Sequence, residues 1–362
     1  MHDILSRFAL RGMPVYCAPY GNGHINRTYL VETDAGVRYI LQRINNHIFR
    51  NVEGLMGNIA LVTAYLRDQG LNERETLTLI PTADGANYLN YCCDDAEISG
   101  YYRMYAFIED SICLERAESE EDFRQSAVAF GRFQMQLKDF PAAQLTETLP
   151  GFHDTRKRCE ALHRAIDEDI MGRAKLVQRE IDFALEQEKY AGCMLDMLHR
   201  GELPLRVTHN DTKLNNVMLD SATRKPLCVI DLDTVMPGLS GNDFGDSIRF
   251  GASTGAEDET DLSKIEMSLD LFRAYARGFL SACGEALAPA EIETLPMGAK
   301  LMTYECGIRF LTDYLQGDTY FRIHRPDHNL DRTRTQFKLV WDMDRKWDEM
   351  MRIIRDLSSR QV

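Results

Sequence analysis

The chain has 362 residues, 44% of them hydrophobic, which is enough apolar material for two lobes or two domains. A net charge of −14 argues against a nucleic-acid or anionic-membrane partner, either of which needs a basic face. Nine scattered cysteines without C-x-x-C spacing suit reduced thiols rather than a disulfide framework or zinc site. No basic segment followed by an apolar run opens the chain, and no run reaches membrane-spanning length, so a soluble, cytoplasmic protein is expected.

Residues 1–18 carry a weak amphipathic stretch, Ile4, Leu5, Phe8 and Leu10, followed by Pro14. A Gly-rich turn, Gly21-Asn22-Gly23-His24, precedes a hairpin built from L-V-E-T, the turn Asp34-Ala35-Gly36, and V-R-Y-I-L-Q-R. Gly21 and Gly23 lack a Cβ, which lets backbone N–H groups approach phosphate oxygens. Gln42 and Arg43 point to opposite faces of their strand, so only one of them faces a nucleotide: Arg43 would bring charge, Gln42 a hydrogen bond. A helix is predicted over 52–68, with Leu55, Ile59, Val62 and Leu66 at helical spacing and Glu53 in its first turn. Three β-like runs between 76 and 108 (T-L-T-L-I, A-N-Y-L-N-Y and Y-Y-R-M-Y-A-F-I) complete an antiparallel sheet. The last ends at Phe107-Ile108, a hinge whose backbone is placed to hydrogen-bond an adenine. The expected domains are therefore a nucleotide-binding lobe, 1–108, and a helical lobe, 109–362.

Ser119 with Asp122 three residues on marks a helix start, and Phe123, Ala127, Phe130, Phe133, Leu137 and Phe140 then line a buried face. F-H-D-T at 152–155 precedes one or two charged, exposed helices over 155–199, with Asp154 or Thr155 as the cap.

The most informative stretch is 205–250. Two short β-compatible runs, Val217-Met218-Leu219 and Leu227-Cys228-Val229-Ile230, read as a hairpin after the polar turn H-N-D-T-K-L-N-N. H-x-D alone is an ordinary polar turn. Asp211, Asn216 five residues later, and Asp231 at the end of the second strand together have the spacing of a phosphoryl-transfer site. There one Asp receives the proton of the attacking hydroxyl, while an Asn and a second Asp present hard oxygens to magnesium on the nucleotide phosphates. Lys213 reaches the γ-phosphate as a point charge, and His209 packs to hold the turn. Asp233, two residues past Asp231 on the same side of a strand, assists the metal. Asp243-Phe244-Gly245 spells a kinase motif out of place; Asp243 and Asp246 are expected to brace the loop by accepting backbone N–H bonds. Helical stretches over 263–283, 290–316 and 331–358 follow, and Glu305, Arg309 and Asp313, four apart, fit a salt-bridge ladder.

V-T-H-N-D-T-K-L-N-N-V-M-L-D and V-I-D-L-D-T-V-M-P-G-L resemble the aminoglycoside-phosphotransferase-like family of small-molecule kinases, over nearly the whole chain. Together with G-N-G-H-I-N-R-T-Y, F-H-D-T and E-C-G-I-R-F-L-T-D-Y-L, they are similar to bacterial N-acetylhexosamine 1-kinases. The resemblance implies an α+β, bilobal, protein-kinase-like fold, with ATP and Mg2+ as cofactors and an N-acetylhexosamine phosphorylated at its anomeric hydroxyl. It places His24–Asn26 near the sugar or phosphate, and Arg309 at the acceptor cleft, where its forked donors hold sugar oxygens. Two features depart from the kinase pattern: no lysine lies on strand 38–43, and Gly57 replaces an acidic helix residue. Two alternatives stay open, a kinase for choline, homoserine, another sugar or an aminoglycoside, and a nucleotide-binding pseudokinase. Retention of Asp211, Asn216 and Asp231 speaks against the second.

Overall fold

The computed structural model describes residues 1–21 and 25–359, so Gly23 and His24 lie outside the described residues. The chain divides into two compact units. Instead of a single cut at 108/109, the first contains 1–112 together with 139–150 and 218–237, and the second contains 113–138, 151–217 and 238–362.

The first unit is built on an antiparallel sheet in the order β1-β2-β3-β5-β4. Its strands are β1 (Pro14–Pro19), β2 (Arg27–Thr33), β3 (Arg38–Ile44), β4 (Leu89–Tyr91) and β5 (Gly100–Ala106). The register sets Leu41 against Met104 and Gln42 against Arg103. Alternation thus separates an apolar face (Tyr39, Leu41, Tyr102 and Met104) from one carrying Gln42 and Arg103. Ile4 and Leu5, on the short helix α1 (His2–Leu5), and Phe8 cover the apolar face.

Strand β1 was not expected from the residues before Gly21. It is an edge strand with Pro at both ends, where a missing N–H is tolerated. T-L-T-L-I does not form a full strand: it touches β5 through one bridge, Leu79 to Tyr105, before Pro81 turns it away. Helix α2 (Val52–Asp68) has the predicted bounds and buries Leu55, Ile59, Val62 and Leu66. Strands β6 (Ser111–Cys113), β8 (Val217–Asp220) and β9 (Pro226–Val229) form a small sheet, with β8 and β9 neighbours as the hairpin reading requires; β7 (Arg206–Thr208) precedes them in the chain.

The second unit is helical. Ser119 caps α3 (Glu120–Gln136) through a bond from the Asp122 N–H, and the phenylalanine face is buried as predicted. Residues 155–199 form three α-helices, not one or two: α4 (Thr155–Glu168, capped by Asp154), α5 (Gln178–Gln187) and α6 (Cys193–His199). They are amphipathic rather than simply exposed, because Leu162, Ile181 and Ala184 enter a core shared with Tyr304, Ile308, Leu311 and Val340. Helices α7 (Ser240–Gly251), α8 (Leu269–Cys283) and α9 (Pro289–Leu315) follow. The C-terminal stretch is two helices, α10 (His328–Arg345) and α11 (Trp347–Ser358), separated at Lys346. Among the described residues no helix is long and apolar enough to cross a membrane, and no cysteine is paired.

Candidate active site

In the second unit, β7 delivers the chain into the turn His209–Asn216, which is held almost atom by atom. The Asp243 carboxylate accepts the backbone N–H of His209 at 2.9 Å and of Asn210 at 2.7 Å, and Gln134 donates to it at 2.7 Å. Burial pushes the Asp243 carboxyl up, against those three donors. One turn along α7, Asp246 accepts the Thr212 N–H at 3.0 Å and holds Arg249. Ser247 donates to the Thr212 carbonyl and receives the Tyr275 hydroxyl, both at 2.6 Å. The out-of-place D-F-G therefore lies in a helix and braces the turn with its Asp243. His209 is fully buried against the edges of Phe130 and Phe133, the packing role expected of it.

This bracing presents three side chains together. Lys213 Nζ lies 2.8 Å from Asp211 Oδ1. Burial works against the Asp211 carboxylate, but the Lys213 ammonium outweighs it and holds the carboxyl below its ordinary value. Lys213 is held above its usual value in the same way, against burial, by Asp211 and then Asp246. The Asn216 amide nitrogen donates to the Asp211 carbonyl at 2.8 Å and to its carboxylate at 3.1 Å. Both partners are acceptors, so the amide nitrogen is the atom facing Asp211 and the amide orientation is unambiguous.

Asp231 and Asp233 belong to the first unit, and neither is on a strand. β9 ends at Val229; Asp231 follows in the left-handed conformation (φ 57°, ψ 59°) and opens the one-turn helix Leu232–Thr234. Asp233 lies within that turn and is buried. It ion-pairs with Arg103 of β5 and accepts the Asn26 amide at 2.6 Å. Arg103 also donates to Gln42 at 2.9 Å. Burial disfavours the Arg103 charge, but the Asp233 carboxylate more than compensates. Helix α2 fastens the same segment: buried Asn58 donates to the Val235 carbonyl at 3.0 Å and to Thr146 at 2.7 Å. Asp233 is thus committed inward, which corrects the expectation that it lies beside Asp231 on a strand face.

Other expected residues fall as follows. Arg43 faces away from Gln42 and binds the Ala96 and Ser99 carbonyls at 3.0 and 2.6 Å, so its guanidinium holds a loop. At the hinge, the Phe107 N–H is bonded to the Arg38 carbonyl, and the Ile108 carbonyl receives Ser111. Gly21 has φ 75° and open space where a Cβ would stand. The Glu305–Arg309–Asp313 ladder does not form. Asp313 accepts backbone N–H groups of Thr319, Tyr320 and Phe321, while Glu305 binds His153 and Thr155. Arg309 is left among the rings of Phe152, Tyr320 and Phe321, 5.4–6.0 Å from their centroids. Sequence reasoning passed over Arg103, Asn58 and the His153–Glu305 pair; the one available signal was a lone Arg inside the apolar run Y-Y-R-M-Y.

Residues 17–279 match the model of the phosphotransferase enzyme family. Among solved structures, the fold is like that of a microcompartment-associated aminopropanol kinase (15% identity, TM-score 0.59, 96% of this chain and 97% of that one). It is equally like an aminoglycoside phosphotransferase from Alicyclobacillus acidocaldarius (12%, TM-score 0.59, 99% and 96%). An amicoumacin kinase in complex with AMP-PNP and Ca2+ is a third likeness (14%, TM-score 0.59, 92% and 91%).

Proposed function

The chain belongs to the phosphotransferase enzyme family, and from that premise we propose an ATP- and magnesium-dependent kinase that phosphorylates the anomeric hydroxyl of an N-acetylhexosamine. The observation that carries the reading is the Asp211–Lys213–Asn216 cluster on a turn braced from beneath by Asp243 and Asp246. The anomeric oxygen bonds to the γ-phosphorus as the β–γ bridging oxygen leaves with ADP, and the hydroxyl proton passes to Asp211. A depressed pKa makes Asp211 a weak base, which suits a loose transition state that needs alignment more than deprotonation. Lys213, paired with that base, would supply a point charge to the transferring phosphoryl group. Asn216 and Asp231 are each assigned as an oxygen donor to magnesium, which would supply charge neutralisation on the phosphates. Gly21 is the described part of the phosphate turn, and hinge backbone around Phe107 and Ile108 is assigned to the base.

Arg309 supports a neutral, oxygen-rich acceptor. Among the described residues its guanidinium has ring neighbours and no carboxylate at ion-pair distance, Glu305 acting on it only from further off, and a guanidinium so placed repels an ammonium group. The competing reading, an amino-alcohol kinase like the aminopropanol enzyme, requires the reverse. An ADP-release assay over N-acetylglucosamine, N-acetylgalactosamine, glucose, choline, homoserine and aminopropanol decides, with the product located by phosphorus NMR. Turnover of the acetylated sugars to an anomeric phosphate is expected; turnover confined to the amines would replace the reading.

A further inference from the structure

Asn210 precedes the proposed base, and its backbone is clamped at both ends. It sits in the left-handed region (φ 63°), a conformation a non-glycine residue keeps only when its surroundings enforce it. Its N–H is held by Asp243 at 2.7 Å, while its carbonyl faces His153 Nε2 at 3.3 Å. The other ring nitrogen of His153, Nδ1, lies 3.0 Å from Glu305 Oε1, and Thr155 donates to Glu305 Oε2 at 2.7 Å. A carbonyl oxygen cannot donate, and Glu305, whose second oxygen receives Thr155 and whose charge His153 favours, stands as a carboxylate that accepts at the first. Both ring nitrogens therefore meet acceptors, and the state that satisfies both is the imidazolium.

We infer that His153 and Glu305 form a charged positioning pair which fixes the Asn210 carbonyl, and through it the Asp211 backbone, and that turnover is lost when His153 gives up its proton. The inference rests on Asp211 being the proton acceptor. The bonds of the pair run to the Asn210 carbonyl and to Thr155, so it acts through the peptide between Asn210 and Asp211.

The charges around His153 agree. Glu305 and Arg309 face it from α9 and Asp246 from α7, while Phe152 packs on its ring. Burial disfavours the imidazolium, but Glu305, and then Asp246, outweigh it and Arg309, so the pKa is raised. Glu305 moves the opposite way: burial opposes its charge, yet His153 holds it below the ordinary range. A raised His pKa means that the clamp is complete below the ordinary histidine value and is lost as pH rises through the folded-state value.

Wild-type protein labelled with 15N-histidine gives the test that needs no acceptor. At pH 7 both His153 nitrogens are expected to carry protons. One pyridine-type nitrogen on His153, with the proton on Glu305 or absent, overturns the inference whatever the substrate proves to be. The second test is the pH profile of kcat on whichever acceptor is turned over. Glu305→Gln is expected to move the alkaline limb to lower pH. His153→Gln is expected to abolish that limb and lower kcat on the order of 10²-fold, the scale of a displaced reacting group, with KM for ATP unchanged. Limbs identical to wild type in both variants would sink the pair as a positioning device. Full activity in Asp211→Asn would instead remove the reading on which it rests and leave the NMR result standing.

Discussion

Arg103 and Asp233 form an ion pair almost wholly closed to solvent, their side chains 1% and 4% exposed. Asp233 is also gripped by Asn26, and Arg103 by Gln42. The pair joins β5 to the turn that sets Asp231 in its left-handed conformation, so a structural charge pair sits two residues from the proposed metal ligand. Removing one partner strands the other in a low-dielectric interior, whereas removing both charges does not.

Arg103→Met is therefore expected to cost about 3–5 kcal/mol in urea denaturation, with Arg103→Met/Asp233→Asn recovering part of that loss. Magnesium-nucleotide affinity should fall in Asp233→Asn only together with stability. A variant that kept its stability and lost magnesium binding alone would return Asp233 to the list of metal ligands.

What the sequence makes legible here is local. Helix 52–68 and the hairpin of β8 and β9 show their own periodicity and turn residues, and both appear where expected. The spacing of Asp211, Asn216 and Asp231 stands out because the proposed chemistry requires those residue types. What stays hidden depends on partners distant in sequence. Nothing near Asp231 indicates φ 57°, since the segment holding it comes from Arg103, Asn26 and Asn58. Glu305 and Asp313 have the spacing of a surface ladder, but their helix is buried on several sides, and each carboxylate finds a buried donor off the helix. An i,i+4 rule describes an isolated helix surface, and α9 is not one.

Asp211→Asn keeps the shape of the side chain and can still receive the Asn216 amide on its oxygen. The turn should therefore survive, with a melting temperature close to wild type and nucleotide affinity retained by calorimetry. Turnover should fall about 10²–10⁴-fold, the usual contribution of a positioned proton acceptor. Near-normal turnover would remove Asp211 from the chemistry.

Lys213→Met separates two effects of one cation. Burial alone raises a carboxyl pKa, and Lys213 is the group that overcomes it at Asp211. Without it the Asp211 pKa rises, the active carboxylate form disappears at higher pH, and the acid limb of kcat/KM moves upward. Turnover at neutral pH should fall as well, because the transferring phosphoryl group loses a point charge. A lower plateau with an unmoved acid limb would mean that Lys213 serves the phosphate alone.

Two glycines give opposite outcomes. In α2, Gly57 has no atom within 4 Å of where a Cβ would stand, and it occupies a helix interior. Gly57→Ala should therefore stabilise the protein by about 0.5–1 kcal/mol through reduced chain entropy in the unfolded state, with turnover unchanged. Gly298 lies where α9 crosses α7, and a Cβ there would overlap the Gly241 carbonyl; one on Gly245 would overlap the Gly298 carbonyl in turn. Neither backbone can retreat without moving α7, which carries Asp243 and Asp246 to the turn His209–Asn216. Gly298→Ala should cost about 3 kcal/mol or more and lower kcat as well, because overpacking here displaces the braces along with the core. Chemical denaturation and a single kcat measurement on each variant check both halves. If Gly298→Ala unfolds at the wild-type midpoint, the helix crossing is looser than these contacts require, and Asp243 would not owe its position to it.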